Sequence, residues 1–251
     1  MADATHFACF AAVRGEKLRC LADIVSQTSR SASGASAGLS ADGRRRLLPI
    51  VVVANTRDAV DAATSAVLAV APRARVARLH SDQSADERAA IMEGFRAASS
   101  VGLDDARLDE APARATDANG EKKKEWDDDD ARGGRLVVLL AADACLPSVA
   151  AGEAPLHAAA LVSLDAPRAP SGGGEAVRAN SPTTAYRRRV RAALGAGRAR
   201  VAVCVVAADE RRFHEAATLG LEVTEAPFDL HDIVVAKWRA SSGKRGKDSR
   251  V

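Results

Sequence analysis

The sequence predicts an α/β fold: one domain built on a parallel sheet, with helices on both faces and low-complexity segments inserted between elements. Three observations predict it. Apolar runs rich in β-branched residues recur at 49–55 (PIVVVAN), 74–80 (ARVARLH), 135–142 (RLVVLLAA), 159–166 (AALVSLDA) and 200–207 (RVAVCVVA). None of them alternates strictly between apolar and polar, as strands covered on both faces should not. Helical patterns separate them, and strand–helix–strand in series implies right-handed crossovers within a parallel sheet.

The first crossover, TRDAVDAATSAVLAVAP, places Val60, Ala63 and Val67 at helical spacing. The second begins at Ser84 with a capping box, in which the serine accepts from the backbone while Glu87 reaches back to it. Ile91 and Phe95 then share an inward face. Before the last strand, Ser181-Pro182 forms a helix start, with serine as cap and proline at the first helical position. Tyr186, Val190 and Leu194 recur every four residues and are expected to face the sheet, leaving the arginines at 187, 188, 189 and 191 on the remaining circumference. Gly195 and Gly197 end that helix.

Three segments interrupt the pattern. Residues 26–46 are rich in Ser, Ala and Gly and read as a flexible connector. Residues 97–134 contain the charge run EKKKEWDDDDARGG, without an apolar period. Residues 168–182 read as a loop. The expected organisation is therefore one domain over 1–240 with these insertions, followed by a basic disordered tail at 241–251. No internal repeat is present.

Composition narrows the classes. The 251 residues are 47% hydrophobic but only 3% aromatic, so the core must be Ala, Val and Leu. A net charge of +3 is too slight to imply nucleic-acid binding unless the cations cluster, and 187–200 is their densest folded cluster. The four cysteines, Cys9, Cys20, Cys145 and Cys204, contain no C-x-x-C pair, which argues against a zinc site or disulfide framework and suits a reducing compartment. No apolar run reaches membrane-spanning length and no signal-peptide pattern opens the chain. The expectation is an intracellular protein without membrane association.

The ordered series Asn55-Thr56-Arg57, Leu79-His80-Ser81-Asp82, Glu87-Arg88 through Phe95-Arg96, AADACLPSVA, LVSLDAPRAP and YRRRVRAALGAGRARVAVCVV resembles the second, RecA-like domain of DEAD-box RNA helicases. The insertion between Pro167 and Tyr186, with the closing EVTEAPFDLHDIVVAKW, is more similar to the nuclear-pore mRNA-export branch than to other branches. The resemblance implies a cytoplasmic or nuclear location, with a mitochondrial one left open. It also implies RNA contacts by Thr56, Arg57, His80 and Arg189, and nucleotide contacts by Asp143 and Arg189. Thr56 and Arg57 read equally as a helix cap and a surface ion pair with Asp58 or Asp61. His80 reads equally as a structural residue of its turn, and Asp143 as a helix cap.

The departures from the family pattern fall on its chemistry. An ungapped alignment keeps Arg189 but puts Ala192 and Gly195 where the family has its two finger arginines, whose charge stabilises phosphoryl transfer. Arg191 and Arg198 are the candidate substitutes, although a one-residue shift turns a helical side chain by about 100°. The family's threonine is Ala142, its Arg-Gly pair is Pro147-Ser148, its ribose-contacting acid is Ala150, and its turn glycine is Ser81. No phosphate loop and no D-E-A-D box occurs, motifs that belong to the family's first domain.

These departures predict a non-catalytic helicase-derived module that binds RNA or protein, in mRNA export or ribonucleoprotein assembly. It would have no catalytic residue, metal or cofactor of its own; ATP and magnesium would enter only with a first RecA-like domain. Partners expected from the resemblance are RNA backbone and a protein, either an N-terminal helicase domain or an export or ribonucleoprotein factor. The competing readings are an ATP-dependent RNA helicase, divergent or separated from its other half, and a pure protein scaffold. Trp126 in the acidic run is a candidate docking anchor, and Trp238 a candidate core residue.

Overall fold

A computed structural model describes residues 4–33, 48–103, 136–167, 181–195 and 200–225. Seven strands form one sheet in the order β3-β4-β2-β5-β6-β1-β7, and every neighbouring pair runs parallel. The strands are β1 (Ala4–Ala11), β2 (Leu48–Ala54), β3 (Arg75–Leu79), β4 (Leu136–Ala142), β5 (Ala160–Ser163), β6 (Arg200–Ala207) and β7 (Val223–Glu225). The helices are α1 (Lys17–Ser33), α2 (Arg57–Val70), α3 (Ala85–Leu103), α4 (Pro182–Leu194) and α5 (Arg211–Ala217).

Continuous apolar runs become strands covered on both sides because alternate residues feed two cores. Ile50, Val52, Val138 and Leu140 pack with Leu21 and Ile24 of α1 and Val60, Ala63 and Val67 of α2. Val51, Val53, Val137 and Leu139 pack on the opposite face with Phe95 of α3 and with Tyr186, Val190 and Leu194 of α4. Register keeps like with like: Ile50 lies opposite Val138 and Val51 opposite Leu139. With so few aromatics, Phe95 and Tyr186 are among the largest fully buried side chains.

The helix starts follow the expected chemistry. Ser84 N donates to Glu87 Oε2 at 2.7 Å while Glu87 N donates to Ser84 Oγ at 3.2 Å. Hydrogen bonding to the carboxyl from the Ser84 backbone, and then from its side chain, holds Glu87 below its ordinary pKa. Ser181 Oγ accepts from Thr184 N at 3.2 Å ahead of Pro182. Thr56 Oγ1 accepts from Ala59 N at 3.2 Å and caps α2.

Three boundaries need correction. Residues 26–33 are the end of α1 rather than connector, because Thr28 continues the inward stripe of Leu21, Ile24 and Val25 and its hydroxyl bonds back to Ile24 O at 2.7 Å. The helix α3 runs on through 97–103, where Ser99 is buried and donates to Phe95 O. The run at 159–166 pairs only over Ala160–Ser163, and its last residues turn into the crevice described below. The strands β1 and β7 and the helices α1 and α5 extend the domain beyond the five expected strands. Ser181 and Pro182, the end of the third segment, begin α4; residues 34–46, 104–134 and 168–180, with Trp126, Trp238, Arg198 and the tail, lie outside the described residues. Among those described, no helix is long and apolar enough to cross a membrane.

Burial also silences two thiols. Desolvation pushes Cys9 up to about 12 and Cys204 up to about 11. Alkylation at mildly alkaline pH should therefore modify half-buried Cys20 before Cys9 and Cys204, with all four reacting in denaturant, as followed by peptide mapping. Phe95→Ala should cost about 3–5 kcal/mol in urea unfolding, the range for an aromatic removed from a packed core.

Candidate functional site: the carboxyl edge of the sheet

In an open parallel sheet, ligands bind where neighbouring strands send their connections to opposite faces. Here β2 leads to α2 on one face while its neighbour β5 leads to α4 on the other. A crevice of about 440 Å³ lies there, lined by Arg14, Asn55, Thr56, Asp165, Asp209 and Glu210 among others.

One guanidinium organises this edge. Arg189 has none of its surface exposed. Its Nε donates to Asp143 Oδ1 at 2.9 Å, its Nη1 to the Asp165 carbonyl at 2.5 Å and its Nη2 to Asn55 Oδ1 at 3.1 Å. Those acceptors follow β4, β5 and β2, three adjacent strands. Asp143 takes a second cation, Arg188, at 2.7 Å. Asn55 N donates to Asp165 Oδ2 at 2.9 Å and Asn55 Nδ2 to Ala166 O at 2.9 Å. Asp165 in turn faces Lys17 Nζ at 3.2 Å, and Lys17 meets Glu210 Oε2 at 2.6 Å. Glu210 also accepts from Ala207 N at the end of β6. The chain of charges thus runs from β4 through β2, β5 and β6 to the helix that follows β1.

The expected site residues divide into three groups. Arg189 is corrected in orientation: the helical circumference left over by Tyr186 and Val190 does not all face water, and this arginine points inward with each of its three nitrogens donating one hydrogen bond. Asp143 is not a side-chain cap; it is the counter-ion of Arg188 and Arg189. Thr56 and Arg57 remain at the surface, Thr56 capping α2 and Arg57 paired with Asp82 and, at 3.7 Å, with Asp61. His80 is half-buried, and its buried Nδ1 has no hydrogen-bond partner among the described residues.

The finger positions are closed by packing. Ala192 is 1% exposed, and its carbonyl accepts from Leu156 N at 2.9 Å while that of Ala193 accepts from Ala158 N at 3.0 Å. Gly195 sits at φ 67°, and a Cβ there would stand 2.9 Å from Pro155 Cγ. Arg96 holds the same loop from the other side through the carbonyls of Ala154 and Pro155. Of the candidate substitutes, Arg191 is exposed on α4. Ala150 is exposed and Pro147 buried in the turn after β4, where Ser148 N bonds Glu153.

Sequence reading missed Lys17, Asp165 and Glu210. Asp165 carried a usable signal, an acid directly after an apolar strand run. The other two become meaningful only once β1 and β6 are neighbours.

As a receptor, the crevice offers three carboxylates, Asp165, Asp209 and Glu210, against the single lining cation Arg14, which is itself bound to Asp209 at 2.7 Å. That lining is net acidic. Among the described residues, no group of three His, Cys, Asp or Glu side chains stands ready to hold a metal.

The chain has the fold of the C-terminal, RecA-like domain of DEAD-box helicases. It is similar to the C-terminal domain of S. cerevisiae Dbp5 bound to Gle1 and IP6, with 14% identity, a TM-score of 0.54, and coverage of 94% of this chain and 99% of that one. S. cerevisiae Dbp5 bound to RNA and ADP BeF3 is similar at 11% identity and a TM-score of 0.55, over 94% of this chain and 45% of that one. This chain thus spans about half of that longer protein. The E. coli DEAD-box protein SrmB, bound to regulator of ribonuclease activity A, is similar at 11% identity and a TM-score of 0.52, over 92% and 95% of the two chains. Likeness at this level of identity establishes the fold. No protein-family model matches the sequence, and no curated protein matches it.

Arg189→Met should destabilise the chain by about 3–5 kcal/mol in urea unfolding, because it leaves Asp143 half-paired and two carbonyl-type acceptors dry. Arg189→Lys should recover only part of that loss, since an ammonium cannot span the three acceptors of a planar fork. Ala192→Arg should lower the melting temperature, having no exit from the packed loop at 154–158.

Proposed function

We propose that this chain is a non-catalytic RecA-like module that binds RNA by its phosphate backbone. The observation that supports this most directly is the fate of the arginine helix. The arginine retained from the family pattern is consumed inside the fold, and the two finger positions are occupied by small residues packed against a loop. A phosphoryl-transfer site needs mobile cations aimed at the developing charge. Here Arg14, Lys17, Arg57, Arg188 and Arg189 at the carboxyl edge are matched with carboxylates.

RNA contacts remain open to Thr56 and Arg57. The ion pairs of Arg57 with Asp82 and Asp61 lie on half-exposed side chains. Pairs of this kind are worth about 0–1 kcal/mol, so a phosphate can compete for the guanidinium. The Thr56 oxygen accepts from Ala59 N, which leaves its hydroxyl proton to donate. His80 adds a third polar group at the end of β3, in the turn that also carries Asp82, the partner of Arg57. That Dbp5 is known bound to RNA and SrmB bound to a protein supports a binding role for the fold in both senses. A place in mRNA export rests on the likeness to Dbp5 alone.

Affinity for single-stranded RNA, followed by fluorescence anisotropy at two salt concentrations, should be insensitive to base sequence and weaken as salt rises. Arg57→Ala should weaken it for every sequence. The chain should not hydrolyse ATP with or without RNA; RNA-stimulated hydrolysis by the chain alone would contradict the proposal.

A further inference from the structure

The helix α4 contains no acidic residue, and three of its exposed positions, 187, 188 and 191, are all arginine. Arg188 is accounted for by Asp143. Arg187 and Arg191 have no carboxylate partner among the described residues, in contrast to the arginines at 14, 57, 78 and 188. They stand four residues apart, one turn along the same stripe, where like charges disfavour the helix. Attraction of Arg191 to the carbonyl end of α4 offsets part of that cost. Nothing in the described fold uses the rest of the charge.

The neighbouring helix extends the same polarity. Thr183 Oγ1 donates to Ala216 O at 2.7 Å, which fixes the first turn of α4 against the last turn of α5. One turn further along α4 comes Arg187; one turn back along α5 comes exposed Arg212. Arg211 is also exposed, with its guanidinium 4.8 Å above the Phe10 ring. The opposing charges on α5 and its approach are Glu215, which is exposed, Asp209, which is engaged by Arg14, and Glu210, which is engaged by Lys17.

From this we infer that the outer face of α4, through Arg187 and Arg191, is a second docking surface for an RNA phosphate backbone. The helix α4 lies on the opposite face of the sheet from α2, whose start carries Thr56 and Arg57. This inference rests on the RNA-binding reading above. Guanidinium groups suit this partner because they stay charged at all relevant pH values and meet phosphate oxygens in a bidentate fork. An acidic protein segment would meet the same charge, so the two partners are separated by experiment.

The test is titration of the chain and its R187Q/R191Q variant with a single-stranded RNA and, separately, with poly-glutamate, over a range of salt. The variant should bind RNA several-fold more weakly, and its dependence of log K on log salt should flatten by about 1.4, two contacts at roughly 0.7 each. R187K/R191K should retain most of the affinity, and unchanged melting curves would exclude unfolding as the cause. Equal RNA affinity in chain and variant, with Arg57→Ala still weakening it, would overturn this inference and leave the preceding one standing. Absence of RNA binding by the native chain would remove both. Poly-glutamate binding as tight as RNA binding and equally lost in R187Q/R191Q would also overturn it, assigning the face to an acidic protein instead.

Discussion

The fold depends on one buried guanidinium. An arginine taken fully out of water is expensive unless each part of its planar fork finds an acceptor. Arg189 finds a carboxylate, a backbone carbonyl and a side-chain amide, each following a different strand. It therefore joins the carboxyl ends of β4, β2 and β5, which are neighbours in the sheet. Asp165 and Lys17 carry the connection on to the elements after β6 and β1. Apolar packing explains why these strands form a sheet. The charge network explains why their ends, which packing leaves unconstrained, hold one arrangement.

Once Arg189 points inward, the phase of α4 is set for everything around it. Tyr186, Val190 and Leu194 then meet the sheet, as their spacing predicts. Ala192 lies three residues on, about 300° round the helix, and falls against the loop before β5. At Ala192 that loop tolerates only a small side chain, and at Gly195 only glycine fits both the positive φ and the nearby proline. Small residues at the finger positions are thus fitted to their surroundings, so restoring arginines would require rebuilding the 154–158 loop as well.

Legibility from sequence followed the kind of force involved. The strands β2, β4 and β6 were readable because burial on both faces needs an unbroken apolar run, and that is a local property of Ile50–Val53, Leu136–Ala141 and Val201–Val206. The strand β1 was not, since His6 and Thr5 interrupt its run; His6 is tolerated in the interior because its Nδ1 bonds Tyr186 Oη at 2.9 Å, 180 positions away. Residues 26–33 were misjudged on their serine content, although Thr28 satisfies its own hydroxyl within the helix and so can sit in the core. The burial of Arg189 could not be read at all. An arginine is expected at the surface, and what reverses that expectation is three acceptors contributed by residues 24 to 134 positions distant.

The same accounting of partners bears on where this molecule can attract an anion. Five cations described at the carboxyl edge, Arg14, Lys17, Arg57, Arg188 and Arg189, each have at least one carboxylate within reach. Opposite charges a few ångströms apart cancel at any distance beyond a Debye length, about 8–10 Å at ordinary salt. The long-range field of that edge is therefore weak despite its density of guanidinium groups, and a polyanion approaching from solution is steered by unpaired cations elsewhere. A net charge of +3 on the whole chain does not reveal this. Pairing decides it: two arginines without carboxylates can attract more strongly than five cations that have them. On a RecA-like scaffold whose central arginine is spent on holding strands together, the surface that captures a ligand need not be the crevice that topology would nominate.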